Sequence, residues 1–152
     1  MPPSPGENNP PHKAGRHLND RSAGYEICIH YLNGTSTSVI ERLRDTPIEN
    51  VRLCSVVVAE LYYGAHKSQD PTQNMARIVG FIEGLLILPF DEPCMEPYGQ
   101  IRAELERRGT PIGGNDLFIA ATAAANHCTL VSDNTREFSR VDNLTVENWV
   151  NR

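Results

Sequence analysis

The sequence predicts an α/β fold of three layers, in which helices cover both faces of a mostly parallel central sheet. From residue 27 onward, short apolar segments that suit strands alternate with longer segments of helical periodicity. This alternation is typical of strands joined by helical crossovers, which make neighbouring strands parallel. The segment DLFIAATAAAN (116–126) is apolar nearly all round. It therefore predicts a buried helix at the centre of the fold.

The first half of this pattern contains two strands and three helices. The segment ICIHYL (27–32) is apolar and is expected to finish a short strand and enter a helix. The segment TSVIERLRD (37–45) has one apolar face, which predicts a helix that Pro47 ends. A strand is expected at VRLCS (51–55), and Ser55 is expected to cap the helix VVVAELYYGAHK that follows.

The second half continues the alternation up to Trp149. A helix stripe that includes Tyr98 and Leu105 is expected to end at Gly109, after two arginines. The other expected elements are a helix over 73–85, a buried strand over 85–90, a loop over 110–116, and strands over 129–132 and 144–149.

The composition of residues 1–26 differs from that of residues 27–152 and divides the chain into a leader and one domain. Residues 1–26 hold five of the 11 prolines and almost no large apolar side chain, so they are expected to be disordered or an out-of-frame leader. Residues 27–152 form the expected domain. No apolar run approaches the ~18 residues that cross a bilayer, and no secretory signal pattern is present. Four scattered cysteines without a C-x-x-C pair suit a reducing cytosol, so a cytoplasmic protein without membrane attachment is expected.

The charge balance narrows the function classes. With 14 basic and 19 acidic residues, the net charge is −5, which argues against a protein that holds nucleic acid mainly by a basic surface. A nuclease that concentrates carboxylates around a metal is still compatible with this balance.

Three acids are placed where parallel strands end. Glu60 lies soon after the 51–55 strand, Asp116 opens the buried helix, and Asp133 follows the 129–132 strand. Ligand sites of such sheets lie beyond the carboxyl ends of the strands. A carboxylate cluster without lysines suits Mg²⁺ or Mn²⁺, and the implied reaction is phosphodiester hydrolysis. Each acid alone has an ordinary interpretation as a helix-terminal, solvated or turn residue.

Five segments carry a resemblance to a known family: AELYYG, FDEP, YGQIRAELERRGTPIGGNDLFIAATA, LVSDNTREFSRV and TVENW. Over about 27–149 the chain resembles the PIN-domain ribonuclease toxins of VapBC toxin–antitoxin modules. The resemblance implies a PIN fold, Mg²⁺-dependent endoribonuclease activity on RNA, inhibition by a cognate antitoxin, and a homodimer. It also implies catalytic and metal-binding roles for Glu60, Asp116 and Asp133, and supporting roles for Asn115, Ser132, Asn134 and Arg136.

One position departs from the family pattern. The resemblance implies a first strand that ends in Leu-Asp-Thr-Asn, whose aspartate is a metal ligand, but here Ala23-Gly24-Tyr25-Glu26 precedes ICIHYL, and Gly24 occupies the aspartate's place. Codons for Ala-Gly-Tyr-Glu, read one base later, can encode Leu-Asp-Thr and most of an Asn codon, so a frameshift is one explanation. Asp20 and Glu26 are the candidate substitutes.

The missing acid leaves three functional outcomes open. The chain is an active ribonuclease toxin, a catalytically impaired relative that binds an antitoxin without cleaving, or the non-functional product of a decayed gene. A DNA-directed nuclease of the same fold is a variant of the first outcome.

Overall fold

A parallel five-stranded sheet forms the centre of the molecule. The computed structural model describes residues 20–151. The strands lie in the order β3-β2-β1-β4-β5, and all four strand pairings are parallel. Their bounds are β1 Arg21–Ala23, β2 Val51–Cys54, β3 Leu86–Leu88, β4 Thr129–Val131 and β5 Val146–Glu147. The predicted mostly parallel sheet is confirmed.

Seven α-helices and one short 3₁₀ helix (Ile48–Asn50) flank the sheet within the described part of the chain. The α-helices are α1 Tyr25–Asn33, α2 Thr37–Asp45, α3 Ser55–Lys67, α4 Pro71–Ile82, α5 Glu92–Arg107, α6 Gly114–Ala125 and α7 Thr135–Phe138. The predicted α/β class is therefore confirmed, and α7 is an element that the sequence patterns did not predict.

The central strand β1 lies where a leader was expected. It pairs with β2 on one side and with β4 on the other, so residues 21–23 are structured and the expected leader boundary at residue 27 is wrong. Ser22 and Ala23 are each 1% exposed. Hydrogen bonds to a neighbouring strand on each side hold β1 in place without large apolar side chains. Its composition therefore did not indicate a strand. The rest of the expected leader, residues 1–19, lies outside the described residues.

Three further boundaries differ from the predictions. The segment 27–32 lies entirely inside α1 and contains no strand. Helix α6 begins at Gly114, so residues 114–116 belong to its first turn and not to a loop. Helix α4 begins at Pro71, two residues before Gln73, because the Asp70 side chain accepts a hydrogen bond from the Gln73 N–H at 3.1 Å.

Strand β3 is shorter and more exposed than the buried strand predicted over 85–90. It forms one edge of the sheet, and its residues Leu86 and Ile87 are 51% and 38% exposed. Ser55 also differs from its predicted role, since it is the first residue of α3 and Cys54 occupies the N-cap. The Ser55 hydroxyl instead accepts a hydrogen bond from the Phe90 N–H at 3.3 Å, which ties the end of β3 to the start of α3.

An aromatic cluster of Phe90, Tyr98 and Phe118 fixes α6 against α5. The Tyr98 and Phe118 rings are stacked with centroids 5.1 Å apart, and Phe90 meets Phe118 edge-on at 4.9 Å. Such pairs add to the free energy gained by burying the rings. As predicted, α6 is central, with Leu117, Ile119 and the run 120–123 buried. Gly109 follows α5 with φ 68°, a left-handed conformation that favours glycine at a helix end.

The four cysteines lie in the interior of the fold and form no disulfide. Cys28, Cys54, Cys94 and Cys128 are all free and buried. Across residues 20–151, no helix combines the length and the apolar character needed to cross a bilayer.

The buried hydroxyl of Ser22 gives a stability prediction. Its Oγ has no hydrogen-bond partner in the described part of the chain, and burying an unpaired hydroxyl is unfavourable. We expect Ser22→Ala to raise the free energy of unfolding by about 1 kcal/mol, measured by urea denaturation. Ser36→Ala is the matched control and should lower it by about 1 kcal/mol, because Ser36 caps α2 by accepting from the Val39 N–H at 3.3 Å. Equal destabilisation by both variants would contradict this account of β1.

Candidate active site

The carboxyl ends of β1 and β4 meet at one edge of the sheet. The Gly24 N–H donates to the Val131 carbonyl at 2.8 Å, so the two strand ends are held side by side. A Cβ at position 24 would lie 3.0 Å from that carbonyl oxygen and 3.8 Å from the Ser132 Cβ. Position 24, where the family pattern places an aspartate, therefore adjoins Ser132.

Asp116 lies in the first turn of α6 and is partly buried. Desolvation by burial raises its pKa to about 6, and a hydrogen bond with Glu137 and the negative charges of Glu137 and Glu60 act in the same direction. Three carboxyl groups thus act on one another here: one from α6, one from α3 and one from α7. Like charges gathered in this way favour the binding of a cation or the retention of a proton.

Glu60 projects from the middle of α3 toward the start of α6. The Asn115 side-chain amide donates a hydrogen bond to Glu60 Oε1. The negative charge of Glu60 also contributes to the raised pKa of the Tyr25 hydroxyl, after the larger effects of burial and of Glu26. Glu60 therefore lies between the first turns of α1 and α6.

Glu137 is the acid that sequence reasoning missed. It lies on α7, where the Asn134 amide donates to its Oε2 at 3.1 Å. The Asn134 N–H in turn donates to Ser132 Oγ at 3.0 Å, which links the short helix to the end of β4. The signal available in the sequence was the spacing, since Glu137 follows Asn134 by three residues, one helical turn.

Asp133 and Arg136 take no part in the interactions that raise the pKa of Asp116. Asp133 is partly buried, but its side chain makes no hydrogen bond or ion pair with residues 20–151, and it is not among the groups that shift the pKa of Asp116. Arg136 is exposed on α7 and likewise has no ion-pair partner there. A catalytic role for either residue stays a prediction.

Neither candidate substitute replaces the missing first acid. Asp20 precedes β1 and so lies at the opposite end of the strand from Gly24, where its Oδ2 is 3.3 Å from Arg52 Nη2 in an ion pair. Glu26 is exposed in the first turn of α1. The edge that holds Asp116 therefore has no carboxylate at position 24 or in its place.

The carboxylate oxygens at this edge suit a hard divalent cation that binds few protein side chains. Among residues 20–151, no three Asp, Glu, His or Cys side chains converge closely enough to form a metal-binding group. A hydrogen bond with Glu137 is among the causes that raise the pKa of Asp116. Mg²⁺ commonly uses one or two carboxylates and completes its coordination with water and substrate phosphates. Asp116 and Glu137 are the residues that would hold such an ion.

The raised pKa of Asp116 predicts how stability depends on pH without metal. Its pKa in the folded state, about 6, lies above the ordinary 3.8, so the folded protein binds the proton more tightly than the unfolded chain does. Stability is therefore expected to fall as pH rises from about 4 to about 6. Asp116→Asn should remove this slope and stabilise the metal-free protein at pH 7.5 by about 1 kcal/mol, a value discounted for solvent screening. Thermal unfolding in EDTA measures both effects, and parallel pH profiles for the two proteins would contradict the prediction.

Comparison with known proteins identifies the family. The family model of the PIN domain matches residues 26–144, so the match begins two residues after Gly24. Ribonuclease VapC2 from Rickettsia felis is 40% identical over 124 residues, which cover 81% of this chain and 92% of that protein. The tRNA(fMet)-specific endonuclease VapC from Shigella flexneri is 42% identical over 125 residues, with the same shares covered.

Solved structures agree with the sequence relatives. DNA-bound VapBC from Salmonella typhimurium superimposes with a TM-score of 0.81 at 35% identity, covering 86% of this chain and 98% of the matched chain. VapBC2 from Rickettsia felis, bound to a DNA fragment from its promoter, superimposes with a TM-score of 0.77 at 38% identity, covering 85% and 98%. The fold, the aligned length and the identities together show that this chain belongs to the PIN-domain family and is a VapC-type nuclease by descent.

Proposed function

We propose that this protein is a metal-dependent endoribonuclease toxin of a toxin–antitoxin module. The observation that carries the proposal is the raised pKa of Asp116, which burial and the neighbouring acids Glu137 and Glu60 cause at the carboxyl edge of a parallel sheet. The relatives named as ribonucleases, and the one named as an endonuclease for a tRNA, support RNA as the substrate class. Oxygen ligands favour Mg²⁺, with Mn²⁺ as the alternative.

The reaction is hydrolysis of a phosphodiester bond by water. A divalent cation held by Asp116 and Glu137 would neutralise the charge of the scissile phosphate. Glu60 would accept the proton of the attacking water while the new P–O bond forms. The bond to the leaving oxygen then breaks, and that oxygen takes a proton from solvent. Arg136, exposed on the same short helix as Glu137, is a candidate contact for a neighbouring phosphate.

The missing acid at position 24 makes low turnover the expected state of this chain. An Mg²⁺ site that loses one of few carboxylates loses both affinity and geometry. This favours a second candidate function, a PIN protein that binds an antitoxin but cleaves RNA poorly. A frameshift before Ile27 would account for Gly24, and the nucleotide sequence tests it. If the codons of Ala-Gly-Tyr-Glu, read one base later, do not encode Leu-Asp-Thr, the frameshift is excluded.

An antitoxin is the protein partner we propose. Three of the structures that superimpose on this chain are VapBC structures, two of them bound to DNA, and these support a neighbouring small protein as the inhibitor. A second copy of this chain is a further proposed partner, and the exposed Leu86 and Ile87 on the edge strand are side chains it would cover. Light scattering of the chain alone would measure that association. The proposed location is the cytoplasm.

Cleavage of RNA tests the proposed chemistry. We expect the chain to cut a tRNA pool slowly with Mn²⁺ or Mg²⁺, and Asp116→Asn to reduce the rate at least about 100-fold because it removes a metal ligand. Sequencing of product ends measures the rate and the position of cutting. Cleavage that persists in EDTA, or that Asp116→Asn leaves unchanged, would contradict the proposal.

Restoring the first acid tests whether Gly24 limits activity. Gly24 has φ −71° and ψ 168°, an extended conformation that any residue adopts, but a new Cβ must move the Val131 carbonyl by a few tenths of an ångström. We expect Gly24→Asp to raise the cleavage rate at least about 10-fold, and the isosteric Gly24→Asn to leave it unchanged. An equal effect of both variants would show that shape, not the carboxylate, matters at this position.

A further inference from the structure

The two glutamates beside Asp116 are each held by the amide of an asparagine. Asn115 Nδ2 donates to Glu60 Oε1, and Asn134 Nδ2 donates to Glu137 Oε2 at 3.1 Å. The two asparagines come from different elements, the first turn of α6 and the N-cap of α7. The same kind of contact therefore occurs at both of the glutamates whose charges act on Asp116.

The direction of these hydrogen bonds follows from the chemistry of the groups. An ionised carboxylate can only accept, so each asparagine must present its NH₂ group to the glutamate. One oxygen of each carboxylate is then engaged, and the other oxygen is left for a cation or a water. A free glutamate side chain has three rotatable bonds, and the hydrogen bond restricts the orientations that its carboxylate can adopt.

The donors are neutral, which distinguishes this site from an ion-paired one. Across residues 20–151, none of the salt bridges involves Glu60, Asp116 or Glu137. A lysine or arginine in the place of either asparagine would orient the carboxylate and also cancel its charge. An amide orients the carboxylate and leaves its charge available to a cation.

We propose that Asn115 and Asn134 are positioning residues that hold Glu60 and Glu137 toward Asp116 as uncompensated carboxylates. In a site that lacks the acid at position 24, these two amides fix the carboxylates that remain. The consequence for metal binding rests on the proposed function, whereas the positions of the two glutamates do not.

Metal-free crystal structures of two variants test the positioning directly. In Asn115→Ala we expect the Glu60 carboxylate to leave its place or lose order, with Glu137 unmoved, and in Asn134→Ala we expect the reverse. Asn74→Ala is the matched control, because Asn74 Nδ2 donates to the Ser68 hydroxyl at 2.8 Å instead of to a carboxylate. It should move neither glutamate. A Glu60 or Glu137 that keeps its place in the corresponding variant would overturn the proposal.

Calorimetric titration with Mn²⁺ tests what the positioning does. We expect Asn115→Ala and Asn134→Ala each to weaken Mn²⁺ binding about 10-fold, as loss of a group that orients a ligand commonly does, and Asn74→Ala to leave it unchanged. Equal Mn²⁺ affinity in the parent and in both site variants would overturn the role toward the cation. A parent chain that binds no Mn²⁺ would count against the proposed function, and the crystal structures would still decide the positioning.

Discussion

The sheet depends on hydrogen bonds that a three-residue strand makes on both of its sides. Strand β1 joins β2 to β4, so without it the other four strands would separate into two pairs. Its side chains contribute little, since Ser22 and Ala23 are small and Arg21 reaches out of the strand to make two hydrogen bonds of 3.1 Å with Glu147. The main chain alone places Gly24 beside Ser132 and so defines the edge where the carboxyl groups collect.

The site combines a preserved scaffold with an altered set of charges. Burial and neighbouring acids raise the pKa of Asp116, which means that the protein holds unfavourable charge at this edge at neutral pH. Such strain is characteristic of sites that bind a cation or transfer a proton. The sequence resemblance implies an acid at position 24, where this chain has glycine.

Much of the fold could be predicted from sequence, and the failures have physical causes. Helix α6 was predictable because its residues are apolar on nearly every face, and β2 and β4 because they are short apolar runs between helices. Strand β1 was not predictable, since Arg-Ser-Ala carries no apolar pattern and follows a segment rich in proline and glycine. The exposure of β3 was missed because an apolar run indicates a strand without telling whether the strand lies at the centre or at an edge of the sheet.

The candidate site was predictable in part for similar reasons. Glu60 and Asp116 were found because they follow strands or open a buried helix, and the structure brings these two together. Glu137 was missed because α7 has only four residues, too few for a periodicity to be seen. Asp133 was predicted to belong to the site because it follows a strand directly. The chain bends at that residue. Glu137, four residues later, is the acid that acts on the pKa of Asp116.

The four buried thiols have a consequence for how the motions of this protein can be followed. Burial raises the pKa of Cys28 to about 12 and that of Cys128 to about 11, so neither forms the reactive thiolate readily while the fold is closed. Cys54 and Cys94 are equally hidden, on β2 and α5. Each thiol can react with an alkylating reagent only after its own surroundings open. The chain therefore carries four built-in reporters, and their separate labelling rates would rank the opening of α1, β2, α5 and the start of β4 without any engineered probe.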